Sequence, residues 1–136
     1  MNHFIISTLL FFYTSFYSLS FSTTDGKTIS METFRGKKIL LVNIATGSGY
    51  AKQLGELEQL QQRFKDSLVV IAFPSNSFGK EVRSSEQIET FCRNTHGVSF
   101  LIAKANPVTG AQVQGVYKWL TSQSESGVMD GSVIGD

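Results

Sequence analysis

Two spacings of apolar residues run through this chain. Ile39, Leu40, Leu41, Val42 and Ile44 form a near-continuous branched run, and Leu68 to Phe73 repeats it, as strands covered on both faces do. Between these runs Leu54, Leu57, Leu60 and Phe64 recur every three or four residues among Glu, Gln and Lys, which predicts an amphipathic helix over about 50–65. Strand, helix and strand in this order predict a βαβ unit, its strands parallel if the crossover is right-handed. Further on, Ser84-Ser85-Glu86-Gln87 offers Ser84 as N-cap with Gln87 closing a capping box, and Ile88, Phe91 and Cys92 then share one helix face. Val98 to Ala103 reads as a short apolar strand, Asn106-Pro107 and Thr109-Gly110 as a loop, and Val116 to Leu120 as a short helix.

The two ends differ from the middle. Phe4 to Phe16 is apolar and aromatic with only Ser and Thr interspersed, too short for an easy membrane span, and small Ser15 and Ser18 suit a signal-peptidase site. Residues 1–18 are therefore expected to be a signal peptide or N-terminal hydrophobic segment, despite an n-region without Lys or Arg, and residues 19–136 a single domain. Cleavage would make the protein exported, periplasmic or extracellular; without it the chain would be cytoplasmic. At the other end, Ser126 to Ser132 is loop-like.

Composition narrows the function classes. Twelve basic against eleven acidic side chains, net charge +1, leave no electrostatic footprint for nucleic acid, and Lys37-Lys38, Arg63, Lys65 and Lys80 are scattered over different elements. One cysteine, Cys92, precludes an internal disulfide, and with His3 and His96 far apart no metal-ligand spacing is present.

The candidate chemistry lies where the first strand turns toward the helix, at Thr46-Gly47-Ser48-Gly49. Helical N–H groups and the positive end of the dipole would favour an anion there, and Ser48 is the residue presented. As a hydrolase nucleophile Ser48 lacks the G-x-S-x-G spacing and a nearby histidine. Anion binding through the turn's backbone N–H groups is a second possibility.

Longer stretches carry a resemblance. Val42-Asn43-Ile44-Ala45-Thr46-Gly47-Ser48-Gly49-Tyr50 is similar to the pattern V-N-x-A-S-x-C-G-[FY], and Phe73-Pro74-Ser75-Asn76-Ser77-Phe78-Gly79-Lys80-Glu81-Val82-Arg83 to F-P-C-N-Q-F-G-x-Q-E-P. Both are glutathione peroxidase patterns, and Asp25-Gly26-Lys27, Gly36-Lys37-Lys38, Phe91-Cys92, Gly97-Val98-Ser99-Phe100 and Tyr117-Lys118-Trp119-Leu120 extend the likeness over roughly 16–136. The resemblance implies an α/β thioredoxin-like fold in three layers, α/β/α, here ending before the C-terminal hairpin and last helix. A sheet edge would then be unpaired. It implies thiol-dependent reduction of hydrogen peroxide or organic hydroperoxides in the response to oxidative stress, with glutathione or thioredoxin as donor, no cofactor, and no stated oligomeric state.

The same resemblance places Ser48 where the family carries its peroxidatic cysteine or selenocysteine. A hydroxyl has neither a thiolate-like state near neutral pH nor a sulfenic equivalent, so Ser48 cannot run that cycle. Glu81 falls on the assisting glutamine and would bring a carboxylate where an amide is expected; Ser75 falls on the second block's cysteine. The family's Trp-Asn pair would lie beyond Asp136, and Trp119 matches a helix position instead. Cys92 lies near the resolving cysteine of thioredoxin-dependent members, which leaves a redox role beside the role of a small core hydrophobe. A non-catalytic thioredoxin-fold binding module and a nonfunctional fragment are the alternatives to an enzyme.

Overall fold

In the computed structural model, which describes residues 13–128 and 130–134, the chain is organised around one strand, β4 below. In chain order the elements are β1 (Ser20–Ser22), β2 (Thr28–Ser30), β3 (Lys38–Ile44), α1 (Gln53–Arg63), β4 (Leu68–Pro74), α2 (Ser85–His96), β5 (Leu101–Ile102), α3 (Gly115–Thr121) and α4 (Gln123–Ser126). β4 pairs in parallel with β3, Leu40 opposite Val70 and Val42 opposite Ala72, and on its other side with β5, Ile71 opposite Leu101. Val70, Ile71, Ala72 and Phe73 are completely buried, which explains their unbroken apolar run. The expected βαβ unit is present.

Alternation along β4 builds two cores. Ile71 and Phe73 face Phe21, Met31, Val116 and Tyr117, whereas Val70 and Ala72 face Leu54, Ile88, Cys92 and Ile102. The sheet is thus a middle layer, with α1 and α2 on one side and α3 and the β1-β2 hairpin on the other. Phe73 is the keystone of the second side, its ring 5.3 Å from Phe21 and 5.4 Å from Tyr117. Burying a side chain of this size contributes about 1.5–3 kcal/mol. The hairpin joins the β5 end through a Thr23–Ala103 bridge and a Lys104 N–H to Ser22 carbonyl bond of 2.7 Å. Among the described residues β3 has a strand partner on one side only.

Helix α2 begins as its sequence predicts: the Ser84 hydroxyl accepts from the Gln87 N–H and the Gln87 side chain accepts from the Ser84 N–H. It ends at Gly97, whose φ of 63° closes the last turn. Three boundaries differ from expectation. The likeness to the family places an opening strand at Phe16 to Phe21, where the chain instead forms a 3-10 turn at Phe16–Ser18 and then three strand residues, with Phe16 packed against Trp119 at a ring-centroid distance of 5.2 Å. The strand expected over Val98 to Ala103 shrinks to Leu101–Ile102, because the Val98 N–H donates to Cys92 and the Ser99 N–H to Glu58.

The third difference bears on the site. A helix from about Tyr50 is expected, yet α1 starts at Gln53. The N–H groups of Ala51, Gln53 and Leu54 reach back three residues, to Ser48, Tyr50 and Ala51, as tight turns do. At its far end α1 stops at Arg63 rather than Lys65, with the Phe64 N–H on Leu60.

The expected signal segment falls mostly on residues 1–12, outside the described residues. Thr14 is described: its N–H donates to the Glu125 carbonyl at 2.8 Å and its carbonyl accepts from Trp119 Nε1 at 2.6 Å. No helix among the described residues is long and apolar enough to cross a membrane.

Candidate functional site

Parallel strands end on one side of a sheet, and the chain's chemistry collects there. β3 delivers Ala45 to Ser48 and β4 delivers Ser75 to Arg83, so the two sequence blocks meet although about thirty residues separate them. The Ser75 N–H donates to the Ile44 carbonyl at 3.0 Å and the Gly47 N–H to the Lys80 carbonyl at 3.1 Å. Residue 47 has to be glycine for this approach, since a Cβ there would stand 2.5 Å from that Lys80 oxygen.

Ser48 lies half-exposed on a cleft of about 250 Å³. The cleft is walled by Val42, Ile44, Leu54, Leu57 and Phe78, with Asn43, Gln53, Ser75 and Lys80 as polar lining. Its size suits a small molecule bound partly by apolar contact. Ser48 Oγ accepts from the Tyr50 N–H at 3.1 Å. Among the described residues no Asp, Glu or His lines the cleft, so none of them offers Ser48 a general base there. His3 lies outside the described residues, and His96 sits at the end of α2 with its ring 5.1 Å from Phe91.

Five N–H groups of the turn are engaged within the protein. Thr46 N–H donates to Glu81 Oε2, Gly47 N–H to Lys80, Ser48 N–H to Ala45, Tyr50 N–H to Ser48 Oγ and Ala51 N–H to the Ser48 carbonyl. With α1 starting at Gln53, its dipole end is also displaced from Ser48.

Glu81 is the largest departure from the sequence expectation. Its carboxylate takes part in no lining of the cleft; the side chain is 3% exposed and turned onto the backbone beneath the turn. Oε2 accepts from the Thr46 N–H at 2.6 Å, and Oε1 accepts from the Thr46 hydroxyl at 2.8 Å and the Arg83 N–H at 3.1 Å. Arg83 Nη1 donates to Thr46 Oγ1 at 2.6 Å, and its guanidinium lies 4.7 Å above the Phe91 ring. Ser75 is likewise turned inward: it lines the cleft at 1% exposure, but its hydroxyl donates to Ser77 Oγ at 2.9 Å. Sequence reasoning missed Thr46 and Arg83. The available signal was that both stand where the quoted patterns carry Ser and Pro.

Cys92 is away from the cleft lining. It is fully buried against Ile88, Val98, Phe100 and Ile102, and burial pushes its thiol up to about 11. It occupies the core-facing position that the helix spacing predicts. Among the described residues no group of three or more His, Cys, Asp and Glu is placed to hold a metal ion.

Comparison with known proteins agrees with this geometry. The family model for glutathione peroxidase matches residues 16–121. Glutathione peroxidase-like peroxiredoxin 2 of Saccharomyces cerevisiae is 40% identical over 112 residues, covering 81% of this chain and 69% of the relative. Glutathione peroxidase-like peroxiredoxin GPX5 of Chlamydomonas reinhardtii is 37% identical over 117 residues, covering 85% and 72%. Among solved structures, the crystal structure of Trgpx in apo form superposes with a TM-score of 0.58 at 27% identity; the match covers 79% of this chain and 64%, under two thirds, of that one. The layered arrangement is therefore a thioredoxin-like fold.

Proposed function

This chain belongs to the glutathione peroxidase family, and from that membership we propose that it is a peroxidase-like protein of the oxidative-stress response whose Ser48 cleft receives a hydroperoxide without reducing it. The family reaction consumes one hydroperoxide and two thiols and releases an alcohol, water and a disulfide. The electrons pass through a sulfur or selenium atom that is first oxidised and then reduced. One observation carries the reading: the chain's single cysteine is fully buried, and the residue facing the cleft at the family's turn is a serine. A hydroxyl can hydrogen-bond a peroxide oxygen but cannot take up its oxygen atom reversibly. The thiol donor, glutathione or thioredoxin, belongs to the proposal by family analogy.

The test is hydrogen peroxide consumption with glutathione or thioredoxin, comparing the native chain, Cys92→Ala and Ser48→Cys. The expected result is turnover in Ser48→Cys alone. Turnover by the native chain that disappears in Cys92→Ala would overturn the proposal and make the buried cysteine a peroxidatic thiol. An inactive Ser48→Cys protein with native-like circular dichroism would overturn the placement of the peroxide beside residue 48.

Export forms a separate part of the proposal, tested by the N-terminus of the mature chain. Cleavage after Ser18 would remove the contacts of Thr14 and Phe16 with α3 and α4.

A further inference from the structure

Three departures from the quoted family patterns converge on one point. Thr46 replaces Ser, Glu81 replaces Gln and Arg83 replaces Pro, and these three side chains form one hydrogen-bonded unit beneath the Ser48 turn. The unit is ordered by charge: Arg83 Nη1 donates to Thr46 Oγ1, Thr46 Oγ1 donates to Glu81 Oε1, and Glu81 Oε2 holds the Thr46 N–H. It is a cation and an anion bridged by one hydroxyl. Glu81 and Thr46 are 3% and 5% exposed, so a carboxylate left there without the guanidinium would be a costly buried charge.

We propose that Glu81 is a positioning residue: acting through Thr46, and neutralised by Arg83, it fixes the turn that presents residue 48 to the cleft. This rests on reading residue 48 as the peroxide-facing position. Glu81 is bonded to Thr46, two residues from Ser48, and makes no part of the cleft wall. Its charge therefore reaches position 48 only as half of a compensated pair. Other charged groups on the elements around the turn include Lys80, which lines the cleft, Lys52 and Glu56 at the start of α1, and Glu86 in the first turn of α2. All of them stay in place in every variant below.

The experiment introduces a reporter thiol with Ser48→Cys in a Cys92→Ala background and follows its alkylation by iodoacetamide from pH 5 to 10. Added Arg83→Ala uncovers the carboxylate and is expected to raise the pH midpoint and slow alkylation at pH 7 several-fold. Added Glu81→Gln uncovers the guanidinium and is expected to lower the midpoint and speed alkylation several-fold. Arg83→Lys is expected to recover most of the Arg83→Ala change. Both Arg83→Ala and Glu81→Gln should also lower the melting temperature, because each leaves Thr46 with a lost partner. The signature is the opposite sign of the two midpoint shifts. Midpoints that move in one direction in both variants, or in neither, would mean that Glu81 and Arg83 do not act on position 48 as a compensated pair, and would overturn the proposal. Should Arg83→Ala not fold, Arg83→Gln, which removes the charge and keeps a side-chain donor, against Glu81→Gln gives the same comparison of signs. Peroxide turnover plays no part in this readout, so failure of the Ser48→Cys peroxidase test and failure of the clamp are separately visible.

Discussion

Replacing Cys92 with serine changes one atom in a place with no room for a polar one. The side chain is 0% exposed, packed with Ile88, Val98, Phe100 and Ile102, all at 4% exposure or less. Burying a hydroxyl among such neighbours costs about 1–3 kcal/mol when it finds no partner. A serine inside a helix can donate back to the carbonyl four residues earlier, that of Ile88, which recovers part of the cost and leaves about 1–2 kcal/mol. Unfolding entropy for a chain of this length is roughly 0.3 kcal/mol per kelvin, so the melting temperature should fall by about 3–7 °C. Cys92→Ala buries no hydroxyl and should melt above the serine variant. Thermal denaturation followed by circular dichroism at pH 7 measures both. In parallel, Ellman's reagent should label native Cys92 only through transient opening. With the thiol pushed up to about 11, only roughly three thiols in ten thousand would be ionised at pH 7.5 even if reached. Stoichiometric labelling of the native protein within minutes, or a serine variant as stable as the native chain, would refute the reasoning and reopen a redox role for this residue.

The same thiol makes stability fall on the alkaline side. Its folded value of about 11 exceeds its ordinary value of 9.0, so its contribution is complete below pH 9 and is lost as pH rises through 11. The loss reaches at most about 2–3 kcal/mol, burial of Tyr117 shifts that phenol upward and adds in the same direction, and urea titrations of Cys92→Ala should show a shallower decline. On the acid side, desolvation works to raise the Glu58 carboxyl, but the N–H and hydroxyl of Ser99 and the Gln62 amide outweigh it, and the net direction is down. Stability from this tie between α1 and the segment before β5 is present above the ordinary value of 4.5 and lost as pH falls through the lowered one; Glu58→Gln should cost about 1 kcal/mol or less at pH 7 and flatten that acid limb. No flattening in urea titrations between pH 6 and 3 would contradict the assignment.

The sequence by itself determined whatever depends on neighbours along the chain. The run Leu68 to Phe73, the Leu54-Leu57-Leu60 stripe and the Ser84–Gln87 capping box each state their structure within a few residues, because strand alternation, helical period and capping are local geometry. The burial of Cys92 was legible for the same reason, from its spacing to Ile88. The two family blocks were legible as motifs, and with them the place of the cleft. Tertiary structure alone decided what Glu81 does. Its partner Thr46 is 35 residues away in sequence, and whether its carboxylate faces the cleft or the backbone depends on which donors the fold brings to it. Sequence position aligned it with a residue that acts in the cleft; packing turned it inward, where two donors of Thr46 and one of Arg83 offered more than a half-apolar pocket could. The start of α1 was decided the same way: the turn after β3 is bonded to Lys80 and Glu81 on a separate segment, and only beyond that anchorage is the chain free to wind into a regular helix.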